Sequence, residues 1–340
     1  MNLRHWLRLA GAALLGLAAA GAQPSAAQQV SQLVDAVHLR DIGPTRQGGR
    51  FVDFAVVESK PQIYYAASAS GGLWKTVNNV ISFESVFDNQ PAVSLGAVAV
   101  SQSNPDVVYV GAGEGNNSRS TLSGDGVYKS TDGGATWKHV GLANSSHIGR
   151  IVVHPTNPNI AFVAALGNLY SENPDRGLYR TTDGGTTWTK VLDHKVDGRA
   201  IGAIDVVMDP SNPQVLYAAT YDKVRRPWSF AEGGPGSGLF KSTDGGTTWK
   251  QITDGIPHAL VGRIGIAIAR SDPKTVYVVT ENAEERGVSV EQRKARLALG
   301  FGDRSIGDEM YRSDDAGKTW RKVAPNAMTG AVAQTAEGDP

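Results

Sequence analysis

The eight residues Ser130-Thr-Asp-Gly-Gly-Ala-Thr-Trp137 return as Thr181-Thr-Asp-Gly-Gly-Thr-Thr-Trp188 and as Ser242-Thr-Asp-Gly-Gly-Thr-Thr-Trp249, with a looser copy, Ser313-Asp-Asp-Ala-Gly-Lys-Thr-Trp320. The motif aspartates Asp132, Asp183, Asp244 and Asp315 are 51, 61 and 71 residues apart. Self-similarity on that scale means a chain of stacked supersecondary units. Around each copy a strand-like run leads to a proline turn, then come a second run, a loop, a third run, the aspartate turn and a fourth run. In the third unit these are Gly149 to Val153, Asn157-Pro158, Ile160 to Ala164, Gly177 to Arg180, the motif, and Trp188 to Val191. The runs are short, rich in Val, Ile, Tyr and Phe, and bounded by Gly, Pro, Asn and Asp, as strands are. Proline turns at Pro61, Pro105, Pro158, Pro213 and Pro273 register five units, the first with a decayed motif in which Asn78 replaces the aspartate and Phe83 the tryptophan. Four antiparallel strands per unit, repeated radially, predict an all-β chain, a β-propeller of four-stranded antiparallel blades.

The chemistry of the motif explains its persistence. Asp132 can accept backbone N–H bonds within its own turn, Gly133 and Gly134 supply the positive-φ positions of a tight turn, and Trp137 is a large apolar plug whose N–H wants a partner. Asp132, Asp183, Asp244 and Asp315 are therefore expected to be structural, with Trp137, Trp188, Trp249 and Trp320. A calcium loop needs oxygen ligands at alternating positions, and this motif offers one carboxylate.

Ser-x-Asp-x-Gly-x-Thr-Trp is similar to the Asp-box, or BNR, repeat, and residues 40–325 resemble the Asp-box propeller superfamily. Among its branches the chain looks most like the sortilin-type propellers and the xyloglucan-cleaving glycoside hydrolases, a resemblance for which bacterial proteins are labelled BNR-repeat glycosyl hydrolases. The superfamily also holds sialidases and a photosystem assembly factor, so the motif defines a fold rather than a reaction. The resemblance implies six to ten blades, hence a longer ring than five units make, with further C-terminal domains as a second way for the chain to continue; the alternative is a five-bladed ring closed by residues 30–45. It also implies, for the xyloglucanases, a catalytic aspartate in the first blade two residues before a Gly-Gly. Ala69 stands there, before Gly71 and Gly72. The Arg-Ile-Pro segment of sialidases does not occur.

Outside the repeats, residues 1–27 read as a signal peptide. Arg4, His5 and Arg8 form a basic start, Leu9 to Ala20 an apolar run, and Ser25-Ala26-Ala27 a small-residue cleavage site. The apolar run is too short to span a bilayer, so a periplasmic or secreted protein is expected, with no membrane span after cleavage. Residues 28–39 read as a linker and 326–340 as an irregular tail or truncated continuation. Lysine plus arginine equals aspartate plus glutamate at 33 each, a balance that gives no global attraction to nucleic acid. With no cysteine, thiol catalysis and cysteine-ligated metals are excluded. No histidine spacing suits a metal, and neither metal nor cofactor is expected.

Unit length varies mainly in one place. From proline turn to motif aspartate (or Asn78) the separations are 17, 27, 25, 31 and 42 residues, so the extra residues fall between the second and third strands. Insertions gathered on one face commonly mark the binding face. These loops hold Glu114, Asn116, Arg119 and Asp125 in the second unit, Glu172 and Asp175 in the third, and Tyr221, Asp222, Arg225 and Trp228 in the fourth. Trp228 with its neighbours suits stacking plus charge-assisted bonds to a sugar or peptide; alternatively it packs its own loop down. At the entry to the first strand the five units read Arg50, Ala97, Arg150, Ala203 and Arg263. Those arginines either ring an axial channel and hold an anion or pair with carboxylates of adjacent blades.

The expectation is an exported propeller that binds polysaccharide or peptide through these loops. The alternatives are a glycoside hydrolase, which needs two facing carboxylates drawn from Glu114, Asp125, Glu172, Asp175 and Asp222, and a structural module of a larger secreted protein.

Overall fold

The computed structural model describes residues 49–116, 121–226, 228–285, 291 and 305–323. The leader, the linker, the tail, Arg119 and most of the fifth long loop lie outside the described residues.

Among the described residues, five four-stranded antiparallel sheets follow one another, each formed by one repeat unit. Their first strands are Phe51–Val56, Leu95–Val100, Ile148–Val153, Gly202–Met208 and Val261–Ile268. Each first strand lies beside that of the next unit, from first to fifth, so the first strands are the inner strands of a wheel and the sheets are its blades. The second strands explain themselves by this placement. Val108–Ala112 and Ala161–Ala165 are buried along their whole length, because a mid-blade strand is covered on both faces, which is why these runs read as continuously apolar rather than alternating.

The core is divided among the blade interfaces. One cluster joins blades one and two, including Leu73, Val98 and Tyr128. Others join two with three, three with four, and four with five. The motif tryptophans Trp137, Trp188, Trp249 and Trp320 pack one against each of these four clusters. Inner strands approach closely at glycines near their starts: a Cβ on Gly96 would lie 2.0 Å from the Ile148 carbonyl oxygen, and one on Gly149 would lie 2.2 Å from that of Ile204.

A second device ties neighbours together at the rim. Tyr65 and Lys75 face each other across blade one and both donate to the Gly133 carbonyl in the aspartate turn of blade two, at 2.9 and 2.7 Å. Lys129 reaches Gly184 in the same way, Arg180 reaches Gly245, and Tyr217 with Lys241 reaches Ala316. The equivalent pair in blade five, Tyr277 and Arg312, bond each other, and Arg312 also bonds Asp314. The decayed turn of blade one keeps the geometry of the others: Asn78 Oδ1 accepts from Ser82 N, and Thr76 Oγ1 accepts from Val80 N. It does so with Asn79 and Val80 at φ 56° and 72°, where the full motif has glycine.

Candidate functional site

The aspartate turns are closed systems. In Ser130 to Trp137 one carboxylate oxygen of Asp132 accepts from Ser130 Oγ at 2.7 Å and Thr136 N at 2.8 Å, while the other accepts from Thr136 Oγ1 at 2.5 Å. Ser130 Oγ in turn accepts from Gly134 N. The same bonds recur around Asp183, Asp244 and Asp315. Bonds from the following threonines hold Asp132, Asp183 and Asp244 down to about 2, and Asp315 is lowered likewise. A carboxylate so stabilised as the anion is a poor proton donor near neutrality.

At the axis, every arginine of the inner-strand register is bonded within the protein. Arg50 pairs with Glu114 at 2.5 Å, Arg150 with Asp53 at 2.8 Å and Asp205 at 3.2 Å, and Arg263 donates to Asn116 at 2.8 Å. The two aspartates had no place in the sequence reading, although a charged residue inside an otherwise apolar run was the available signal. Both stand at β-bulges, where the extra residue turns the side chain aside. Asp53 accepts Val98 N of blade two, and Asp205 accepts Ile266 N of blade five. Burial raises the Asp53 carboxyl, with Arg150 opposing. Beyond them lies an axial cavity of about 530 Å³ walled by inner-strand side chains such as Val98, Ile151, Val206 and Ile266. Most of its wall is aliphatic.

The loop residues fall into two groups. Glu114 is 1 % exposed and takes Thr121 as well as Arg50; Asp222 is buried, bonded to Gly236 N and paired with Arg199 at 2.6 Å. Neither is presented to a substrate, because each is itself buried and already paired, Glu114 with the exposed Arg50 and Asp222 with the half-buried Arg199. Tyr221 is likewise buried, in the core shared by blades four and five, since it ends the mid-blade strand Leu216–Tyr221. Asp125 is half-buried and holds the Tyr128 hydroxyl at 2.6 Å. Glu172 is exposed and bridges to Arg176, and Asp175 is half-buried. Thus four of the five carboxylates have separate partners: Arg50, Tyr128, Arg176 and Arg199. At the position the xyloglucanase resemblance assigns to an acid, Ala69 is buried, its N–H bonded to the Arg50 carbonyl.

Accessible groups gather on the fourth-unit loop. It folds into an extra hairpin, Val224–Arg226 with Ser229–Ala231, and Trp228 at its tip is 82 % exposed. The ring is therefore not packed down on its loop. Arg225 stacks 4.5 Å over the Phe230 ring, and Arg226 is exposed. Tyr170, on the neighbouring third-unit loop, is 45 % exposed and lines the same crevice as Arg225 and Arg226.

Blades in sequence order, cores between blades and an aspartate turn on each rim define the Asp-box β-propeller class. Residues 311–322 match the model of the BNR/Asp-box repeat. The chain belongs to the Sortilin-Vps10 family: the model described as "Sortilin, neurotensin receptor 3" matches residues 125–305, more than half of the chain. It is also similar to xyloglucanase Xgh74A of Acetivibrio thermocellus, 26% identical over 254 residues, covering 64% of this chain and 27% of that protein. Among solved structures, an ancestral GH74 enzyme superposes with a TM-score of 0.60 at 22% identity, covering 85% of this chain and 32% of that one. The GH74 xyloglucanase of Xanthomonas campestris gives 0.53 at 19%, covering 81% and 38%. The chain thus spans well under half the length of each of these relatives, and the superpositions support the propeller fold alone.

Proposed function

We propose that this chain binds polysaccharide on the face that carries the loops between second and third strands, with Trp228 as the main stacking surface. The observation behind this reading is the placement of Trp228: a large ring left in solvent at the tip of a hairpin stabilised by backbone pairing, two residues from Arg226, which shares a crevice with Tyr170. An exposed indole of this kind gives a flat apolar surface for a sugar ring, and adjacent donors can bond its hydroxyls. Similarity to xyloglucanases makes xyloglucan the first ligand to test. In affinity electrophoresis, Trp228→Ala should weaken retardation by xyloglucan roughly ten-fold with an unchanged unfolding midpoint. Unchanged retardation would remove the platform reading.

Hydrolysis of the same polymer is the second reading, favoured by the names of the relatives and disfavoured by Ala69 and by the engaged state of Glu114 and Asp222. Release of reducing ends that persists in Glu114→Gln and Asp222→Asn would locate catalysis elsewhere; no release from the wild-type chain would leave binding alone.

Export remains part of this reading, on the leader-like residues 1–27. The mature protein should begin near Gln28 when its N-terminus is sequenced, and a retained Met1 would overturn it.

A further inference from the structure

Among the described residues, the exposed large apolar side chains on blade strands are Phe51, Phe54 and Val56 of blade one and Val279 of blade five. Blades two to four expose such side chains only off their strands, because each of their faces is covered by a neighbouring blade. Phe51 and Phe54 are 56 % and 54 % exposed. With Tyr64 and Phe83 they make a row of rings across the blade one sheet, their centroids 5.5, 6.4 and 5.9 Å apart. An exposed aromatic patch of this kind marks an interaction surface.

The register of the sheets says what fits it. Phe54 pairs with Ala66 as Val98 pairs with Val110, and Val56 with Tyr64 as Val100 with Val108. Val98, Val100 and Val108 are buried in the cluster between blades one and two, and Trp137, the counterpart of Phe83, packs on it. The aromatic row thus occupies the face that, in a later blade, receives the blade before it. Blade five ends on the opposite kind of face. Val279 stands opposite Met310 as Ala67 stands opposite Leu73, and Tyr277 opposite Ala267 as Tyr65 opposite Ala55. In blade one this set is buried against blade two, whereas Val279 and Ala267 are exposed and Tyr277 is half-buried.

The rims match in the same sense. Asn79 N donates to the Gln62 carbonyl as Gly133 N donates to that of Asp106. The Asn79 carbonyl therefore stands where Gly133 presents its acceptor to Tyr65 and Lys75. Tyr277 and Arg312 hold the donor places of that pair in blade five. Blade five offers what each earlier blade gives to its successor, and blade one offers what each successor receives.

We propose that a second copy of this chain covers both faces: blade five of each copy docks on blade one of the other, closing a two-fold ring. The two faces differ, so the contact is head to tail, and such contacts either close or run on as filaments. Two copies that close leave neither face open. Within one copy Glu58 of blade one bonds Arg270 of blade five. That exposed pair contributes little, and it opens to admit the partner. The proposal is independent of what the loop face binds.

Sedimentation equilibrium of the whole chain at micromolar concentration should give twice the mass of one chain. Phe54→Glu and Val279→Glu alter side chains already exposed in one copy, so each should keep the wild-type circular dichroism spectrum. Each should also weaken the dimer roughly a hundred-fold or more, as an unpaired carboxylate in an apolar interface requires. A wild-type mass of one chain would overturn the proposal, as would a mass that keeps growing with concentration. A dimer that survives Val279→Glu would overturn it too, since blade one would then be meeting blade one. The chain has no cysteine, so the double variant Asn79→Cys, Arg312→Cys carries one reactive pair per copy. A short bis-maleimide should join two chains through that pair; cross-linking only within single chains would rule out the second copy.

Discussion

Asp205→Ala should lower stability by about 3 kcal/mol, one of the largest single losses expected in this chain. The side chain holds blades three, four and five together from one bulge. One oxygen accepts from Arg150 Nε of blade three and from Val206 N; the other accepts from Ile266 N of blade five at 2.9 Å. Removing it leaves buried N–H groups without acceptors, each costing about 1–3 kcal/mol. The ion pair adds less, because Arg150 is 41% exposed and retains Asp53. Arg150→Met makes the comparison informative. It removes the same ion pair but keeps both aspartates bonded to the inner-strand amides, so it should cost less than Asp205→Ala. Denaturant unfolding of the three proteins measures this. A loss under about 1 kcal/mol in Asp205→Ala would mean that the axial staple does not carry the blade junctions.

Acid should destabilise the protein through His147 before the ordinary carboxylate range is reached. His147 is 2 % exposed and its Nδ1 has no hydrogen-bond partner. Burial first, then the Lys223 charge, hold its folded value at about 4 against the ordinary 6.5. Between those values the unfolded chain binds a proton that the folded chain refuses, so stability falls as pH falls through this window. It is fully present above about 6.5 and lost by about 4, a change of about 3 kcal/mol. The aspartate turns titrate below the window, since Asp132, Asp183 and Asp244 are held near 2. His147→Gln removes the proton acceptor, so the difference between variant and wild type isolates the effect. Unfolding free energies measured from pH 7 to 4 should converge or cross as the wild type weakens. Parallel profiles would show that the imidazole is protonated in the folded state.

The aspartate turn was legible because it is local. Asp132, Ser130, Gly134 and Thr136 meet within seven residues, so their spacing states their geometry, and the decayed copy at Asn78 could be found by register alone. Inner and mid-blade strands were legible because burial on both faces leaves a continuous apolar run. The site was harder to read. The loop inventory named the positions but not their states: Glu114, Asp222 and Tyr221 share one loop face with Trp228, yet three are buried and one stands in water. Asp53 and Asp205 escaped notice because a bulge, invisible to periodicity, turns each carboxylate toward another blade.

By itself, then, the sequence determined the repeat, the blade, the rim turns and the face on which the insertions gather, since all of these depend on residues a few positions apart. Only the tertiary structure decided which charges stand together. Arg50 meets Glu114, Arg150 meets Asp53 and Asp205, and Arg176 stands beside Lys223. Such partners lie in different blades, and their strength is set by burial and distance, quantities that a linear order of residues does not contain.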